Sequence, residues 1–209
     1  MSYHLPVLAQ ECITGLNIEP NGVYVDVTYG GGGHSKLIMP HLSDDGRLFG
    51  FDQDEDAVAN QLDAANFTFV AANFRYLQRF LKLHGVRQVD GILADLGVSS
   101  HQLDEGSRGF SYRFESELDM RMNQEAGETA ADVLNSRTAE ELQHIFGRYG
   151  EVRNAKTLAQ QIVSERQKSK FINISDFLAF IEPLVRGQRN RYLAQVFQAL
   201  RIEVNDEMQ

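Results

Sequence analysis

The chain has 209 residues, 43% hydrophobic and 23% charged, with Cys12 as its single cysteine. That length and balance fit a globular domain carrying an inserted or appended subdomain, and they exclude an intramolecular disulfide or a cysteine-rich zinc centre. A net charge of −9 excludes a uniformly basic, nucleic-acid-coating protein.

The N-terminal MSYHLPVLAQEC lacks a basic region followed by an apolar run, so it does not read as a secretion signal, and no apolar stretch is long enough to span a bilayer. The expectation is a cytoplasmic protein with no membrane partner. Residues 23–28 (VYVDVT) then predict a first strand, and the glycine cluster Gly30 to Gly33 follows it directly. His34 to Met39 read as a helix stopped near Pro40. A second strand is predicted at 47–52, ending in Asp52, and a helix at 54–65 with Asp54 as a candidate N-cap. A third strand at 67–71 precedes an amphipathic helix from Phe74 to His84, closed by Gly85. A fourth strand is expected at 89–95, ending in Asp95. This β-α-β-α-β-α-β order predicts a doubly wound parallel α/β sheet, whose ligands bind outside the carboxyl ends of the strands.

After Asp95 the alternation stops. Residues 96–136 read as loop-rich. Thr138 to Glu141 form a capping-box pattern that opens a helix, and further helices are expected near 153–167 and 175–185. The closing segment carries Leu193, Val196, Phe197, Leu200 and Val204 at helical spacing, one apolar stripe. Charge is uneven along this order. Residues 1–146 are net acidic, whereas 147–191 carry nine Lys/Arg against four Asp/Glu. Arg148, Arg153 and Lys156 form one basic group, and Arg186, Arg189 and Arg191 another. On charge alone an ordinary solvated surface accounts for them; a phosphate-binding patch is the alternative.

The residues that bear chemistry lie at the strand ends. A dinucleotide-type G-x-G-x-x-G reaches Ser35 when started at Gly30 and Lys36 when started at Gly31, so it is incomplete. The methyltransferase form, acid-x-G-x-G-x-G, is met by Asp26, Gly30 and Gly32, with Thr28 in place of the first glycine. Asp52 follows Gly33 by nineteen residues, where a carboxylate can accept both ribose hydroxyls. Asp95 is expected beside the strand that carries the glycine loop; in an amino-methyltransferase that position faces the reacting centre, whereas in a dehydrogenase it has no fixed acidic role. No metal ligand set is expected.

HLPVLAQEC, DVTYGGGGHS, FGFDQD, DLGVSSHQLD, RGFSYRFESELDMRM, YGEVRNAK and QVFQALRIEVNDEM occur in this order over nearly the whole chain. They resemble the motifs of the bacterial family that methylates N4 of a cytidine in small-subunit (16S) ribosomal RNA. The resemblance implies a Rossmann-like class I methyltransferase sheet using S-adenosyl-L-methionine. It implies cofactor contacts at Gly32, Gly33, His34, Asp52, Phe74, Asp95 and Gln102, with Gly30 in the same loop. It further implies that 1–103 and 189–209 form the cofactor domain and 104–188 an inserted helical substrate-recognition subdomain. Asp95 or a neighbouring carbonyl would accept the N4 proton. The D/N-P-P-Y/F platform of many amino-methyltransferases is replaced here by Asp95-Leu-Gly-Val-Ser-Ser, so Phe110, Tyr112 or Phe114 would stack on the base. The family continues past QALRIEVNDEM with further strands, which this sequence lacks. The expectation is therefore a truncated member with an exposed sheet edge prone to homo-oligomerisation. A non-catalytic cofactor- or RNA-binding module and a nucleotide-dependent oxidoreductase are the rival functions.

Overall fold

A computed structural model describes residues 6–208, and the chain divides after Gly97 into two compact units. The first holds four parallel strands, β1 (Val23–Asp26), β2 (Arg47–Asp52), β3 (Phe67–Ala71) and β4 (Gly91–Leu93), in the order β3-β2-β1-β4. Alternation along the strands decides which face each side chain covers. Val25, Val27, Phe49, Phe51 and Val70 line one face with Leu81, on the helix α3 (Leu77–Leu83) that crosses from β3 to β4. Tyr24, Leu48 and Leu93 line the other with Ile38. Phe49 and Phe51 are wholly buried, each contributing about 2–3 kcal/mol of transfer free energy. The second face is covered by α1 (Ala9–Leu16) and α2 (Gly33–Ile38). Cys12, Ile13 and Leu16 form the stripe that seats α1, an element the sequence reading left unassigned.

Several elements of the first unit differ from expectation: the first strand ends at Asp26 and not at 28, and Phe74–Tyr76 is a 3-10 turn ahead of α3. Residues 54–65 do not form an α-helix: a 3-10 helix spans Glu55–Asn60, and only Ala57 of it is buried. The segment has no apolar stripe to hold a longer helix, and the Asn60 carbonyl is taken by the Tyr29 hydroxyl at 2.6 Å. Asp54 does cap it, accepting from the Asp56 N–H. The fourth strand is shorter than 89–95, so Asp95 lies two residues beyond its end.

The second unit, from Val98, is helical: α4 (Ser100–Asp104), α5 (Ala130–Ser136), α6 (Ala139–Arg148), α7 (Ala155–Glu165), α8 (Ile174–Ile181) and α9 (Arg189–Val204). The expected capping box of Thr138 and Glu141 opens α6. Residues 96–136 are not all loop, because α4 and α5 carry capping boxes of their own, Ser99 with Gln102 and Thr129 with Asp132. The segment 189–209, grouped from sequence with the sheet, has its helix in the second unit's core. Leu193, Val196 and Leu200 are fully buried there beside Leu142, Leu158 and Phe177. The apolar stripe of α9 is what draws it in.

Among the described residues, no helix is long and apolar enough to cross a membrane.

Candidate functional site

From β1 the chain winds outward to β2 and β3, then returns to β4 on the other side of β1. Strand order thus reverses between β1 and β4, and in sheets of this kind ligands bind at the carboxyl edge beside that reversal. The loop after β1 needs its glycines. Gly32 has φ +71°, and a Cβ there would sit 2.7 Å from the Tyr29 hydroxyl. Gly30, at φ +49°, is also left-handed, yet a Cβ on it or on Gly31 would meet nothing within 4 Å. That open side admits close approach of a ligand to the backbone. Gly33 begins α2, and His34 beside it is buried with Nε2 2.9 Å from the Val7 carbonyl. The imidazole thus binds the N-terminal segment to α2.

Two acids organise the loop from beneath. Asp26 is buried, and burial pushes its carboxyl above the usual range against the pull of its hydrogen bonds. It accepts from Ser35 Oγ at 2.8 Å and from the Thr28 N–H at 3.1 Å. Asp52 is also raised, first by burial. One of its oxygens accepts the Gly30 N–H at 2.7 Å and the other the Asp54 N–H at 2.9 Å. A carboxylate offers about four lone-pair sites, so roughly one stays available on each oxygen. That capacity suits the two hydroxyls of a ribose. Tyr29 packs against Phe67 and Phe69, and burial followed by the nearby Asp26 charge pushes its phenol up to about 12.

Asp95 faces the same edge. Its side chain is exposed, and its N–H donates to Thr28 Oγ1 at 2.8 Å. The strand pairing expected between the first and fourth strands is present, with Asp26 opposite Leu93. Phe74 follows β3 and packs, half-buried, against the core that contains Phe51 and Val70. The first unit therefore gathers Gly30, Gly32, Gly33, Asp52 and Asp95 at one end of its sheet, with His34 behind the loop and Phe74 beyond β3. Among the described residues, no group of three His, Cys, Asp or Glu is placed to hold a metal ion.

A glycine loop over a buried acid, with further acids after β2 and β4, is common to several nucleotide-binding enzymes, and comparison with known families decides among them. The model of the MraW methylase family matches residues 1–209. The chain belongs to the MraW methylase family. Curated relatives agree. "Ribosomal RNA small subunit methyltransferase H" of Bacteroides thetaiotaomicron is 55% identical over all of this chain and 69% of its own length. The protein of that name from Bacteroides fragilis strain YCH46 is 56% identical over the same shares. That from Cytophaga hutchinsonii is 53% identical over 99% of this chain and 70% of its own length.

Several residues that the family resemblance singles out belong to the second unit. Gln102 is buried and completes the capping box of α4: its Oε1 accepts the Ser99 N–H at 3.0 Å, and its own N–H donates to Ser99 Oγ at 3.1 Å. Of the three aromatic residues considered for base stacking, Phe110 is buried in the core and presents no free face. Tyr112 packs edge-on against Phe197, at 5.5 Å between ring centres. Phe114 is the most open, 39% exposed. Arg148, Arg153, Lys156, Arg186, Arg189 and Arg191 are all exposed. Arg189 is engaged by Glu182 at 2.9 Å.

The structure also explains the family's LDMRM segment. Arg121 grips Asp119 through two 2.8 Å bonds, and Asn205 beyond α9 clamps the loop. Asn205 donates to the Met120 carbonyl at 2.8 Å and accepts the Met122 N–H at 2.7 Å. Sequence reasoning gave no role to Asn205, Tyr29 or Asn60. A buried asparagine bonding residues more than eighty positions away leaves no local signal.

Proposed function

We propose that this chain binds S-adenosyl-L-methionine at the carboxyl edge of its sheet and transfers the methyl group to N4 of a cytidine in 16S ribosomal RNA. The observation that carries the proposal is the convergence of the open glycine loop, Asp52 and Asp95 at the point where strand order reverses, in a chain of the MraW methylase family. When bound, the cofactor supplies an electrophilic sulfonium methyl group. The open backbone at Gly30 and Gly31 lets the loop approach the ligand closely, and Gly32 and Gly33 carry that loop into α2. Asp52 accepts the ribose hydroxyls with the lone pairs its two amide bonds leave available. Phe74 offers a half-buried ring for adenine, Gln102 steadies the turn that opens α4, and His34 holds the N-terminal segment over the loop.

Asp95 carries the chemistry in this proposal. The N4 amine of cytosine is a weak nucleophile because its lone pair is delocalised into the ring. An exposed carboxylate that accepts an N–H of that amine draws the lone pair out of conjugation, and Asp95 Oδ would take the proton as N4 gains the methyl group, whose bond to sulfur breaks and leaves a neutral thioether. The same carboxylate can face the methionyl ammonium. Phe114 is the aromatic best exposed to stack on a base turned out of its helix. The basic residues of the second unit, Arg148, Arg153, Lys156, Arg186, Arg189 and Arg191, would hold RNA phosphates. Ribosomal RNA as substrate also implies a cytoplasmic site of action.

The test is Asp95→Asn. Methyl transfer from labelled cofactor to small ribosomal subunits, read at saturating cofactor, is expected to fall by about 10²–10⁴-fold, beyond the smaller loss of S-adenosylhomocysteine affinity that the missing ammonium contact brings. Full turnover in the variant would remove Asp95 as the proton acceptor.

A further inference from the structure

Thr28 stands where a methyltransferase-type loop carries its first glycine, and no step proposed above uses it. The geometry points to Thr28 as a positioning residue, whose hydroxyl fixes the loop bearing Asp95 against the loop that holds the cofactor. This role rests on the proposed cofactor site.

The bond sits where the sheet ends. β1 and β4 are paired in parallel, and the Val27 N–H donates to the Leu93 carbonyl at 2.9 Å. In a regular parallel ladder the next rung would run from the Asp95 N–H to the Val27 carbonyl. Here the Asp95 N–H donates to Thr28 Oγ1 at 2.8 Å. The side chain takes the place of a backbone acceptor just past the last paired residues of the two strands.

Thr28 is itself fixed from below. Its N–H donates to Asp26 Oδ1 at 3.1 Å, and its hydroxyl reaches the same oxygen at a longer 3.4 Å. The other Asp26 oxygen accepts from Ser35 on α2 at 2.8 Å. Ser35, Asp26, Thr28 and Asp95 thus form one chain of hydrogen bonds from α2 through the β1 loop to the β4 loop. A hydroxyl that donates to a carboxylate is polarised into a better acceptor for the next N–H. Glycine at position 28 would keep the backbone bond to Asp26 but offer nothing to Asp95.

The experiment uses Thr28→Val, which keeps the branched shape and loses the oxygen, beside Thr28→Ser, which keeps the oxygen. Hydrogen exchange at the Asp95 amide is read by NMR without ligand, S-adenosylhomocysteine affinity by calorimetry, and the fold by far-UV circular dichroism. In Thr28→Val, exchange at Asp95 is expected to speed up and affinity to fall, each by about five- to tenfold for the loss of one hydrogen bond. Thr28→Ser is expected to restore both. Unchanged exchange in Thr28→Val overturns the tether, and faster exchange with undiminished affinity overturns the positioning role. If the unmodified chain does not bind S-adenosylhomocysteine, the cofactor site fails and the positioning role fails with it, whereas the ligand-free exchange still reports the tether on its own.

Discussion

Asn205→Ala should be the most damaging single truncation in the second unit outside its apolar core. Asn205 is 7% exposed and its side chain makes three hydrogen bonds, to the Met120 carbonyl at 2.8 Å, from the Met122 N–H at 2.7 Å and to the Arg201 carbonyl at 2.9 Å. Alanine leaves the Met122 N–H and the Met120 carbonyl without this partner beneath a loop whose Met120 has φ +62°. Taking a buried polar group's partner away costs about 1–3 kcal/mol, so the two together give an expected loss of about 2–6 kcal/mol. Asn205→Asp is expected to be no better. It keeps the acceptor for Met122 but turns a carboxylate oxygen toward the Met120 and Arg201 carbonyls. The chain has no Trp, so urea denaturation is followed by far-UV circular dichroism, which the helical unit dominates. A loss below about 0.5 kcal/mol for Asn205→Ala, the range of ordinary surface substitutions, would refute the clamp.

Gly32→Ala combines a left-handed backbone with a Cβ 2.7 Å from the Tyr29 hydroxyl; it should lower stability by about 1–3 kcal/mol and weaken S-adenosylhomocysteine binding, both measurable on one preparation. Asp52 must be ionised to accept two hydroxyls, and burial holds its carboxyl above the ordinary aspartate range. Cofactor affinity should therefore fall on acidification before an unperturbed aspartate would titrate, and Asp52→Asn should be weaker at neutral pH with that pH dependence removed, as calorimetry across pH would show. The linked stability runs the other way: a raised folded pKa favours the ligand-free fold at low pH, and that contribution is lost as pH rises through the raised value. Neutralising Arg148, Arg153 and Lys156 together should weaken binding to a 16S fragment and flatten its salt dependence by a log–log slope of about 0.7–0.9 per lost phosphate contact; an unchanged slope returns these side chains to solvent.

Much of the first unit was legible in the sequence because its signals are local. Strands of apolar and β-branched residues ended in acids, and the glycines marked the turn, so the sheet, the β1–β4 pairing and the Asp54 cap could be anticipated. The 55–60 segment misled because its composition favours a helix, whereas it buries only Ala57 and its last carbonyl is held by Tyr29, thirty-one residues away. Helix α9 misled for a related reason. Its stripe was plain, but periodicity tells which face is apolar and not which core receives it. Thr28 looked like a defect in a glycine pattern, and its bond to Asp95, sixty-seven residues on, gives it a reason.

The central claim, an S-adenosylmethionine site at the carboxyl edge of the sheet, is tested most directly by calorimetric titration of the chain with S-adenosylhomocysteine, with NADH as control. Saturable one-to-one binding of the first and no heat from the second is the predicted result. Binding of NADH, or of neither ligand by a chain with the expected circular dichroism, would contradict it.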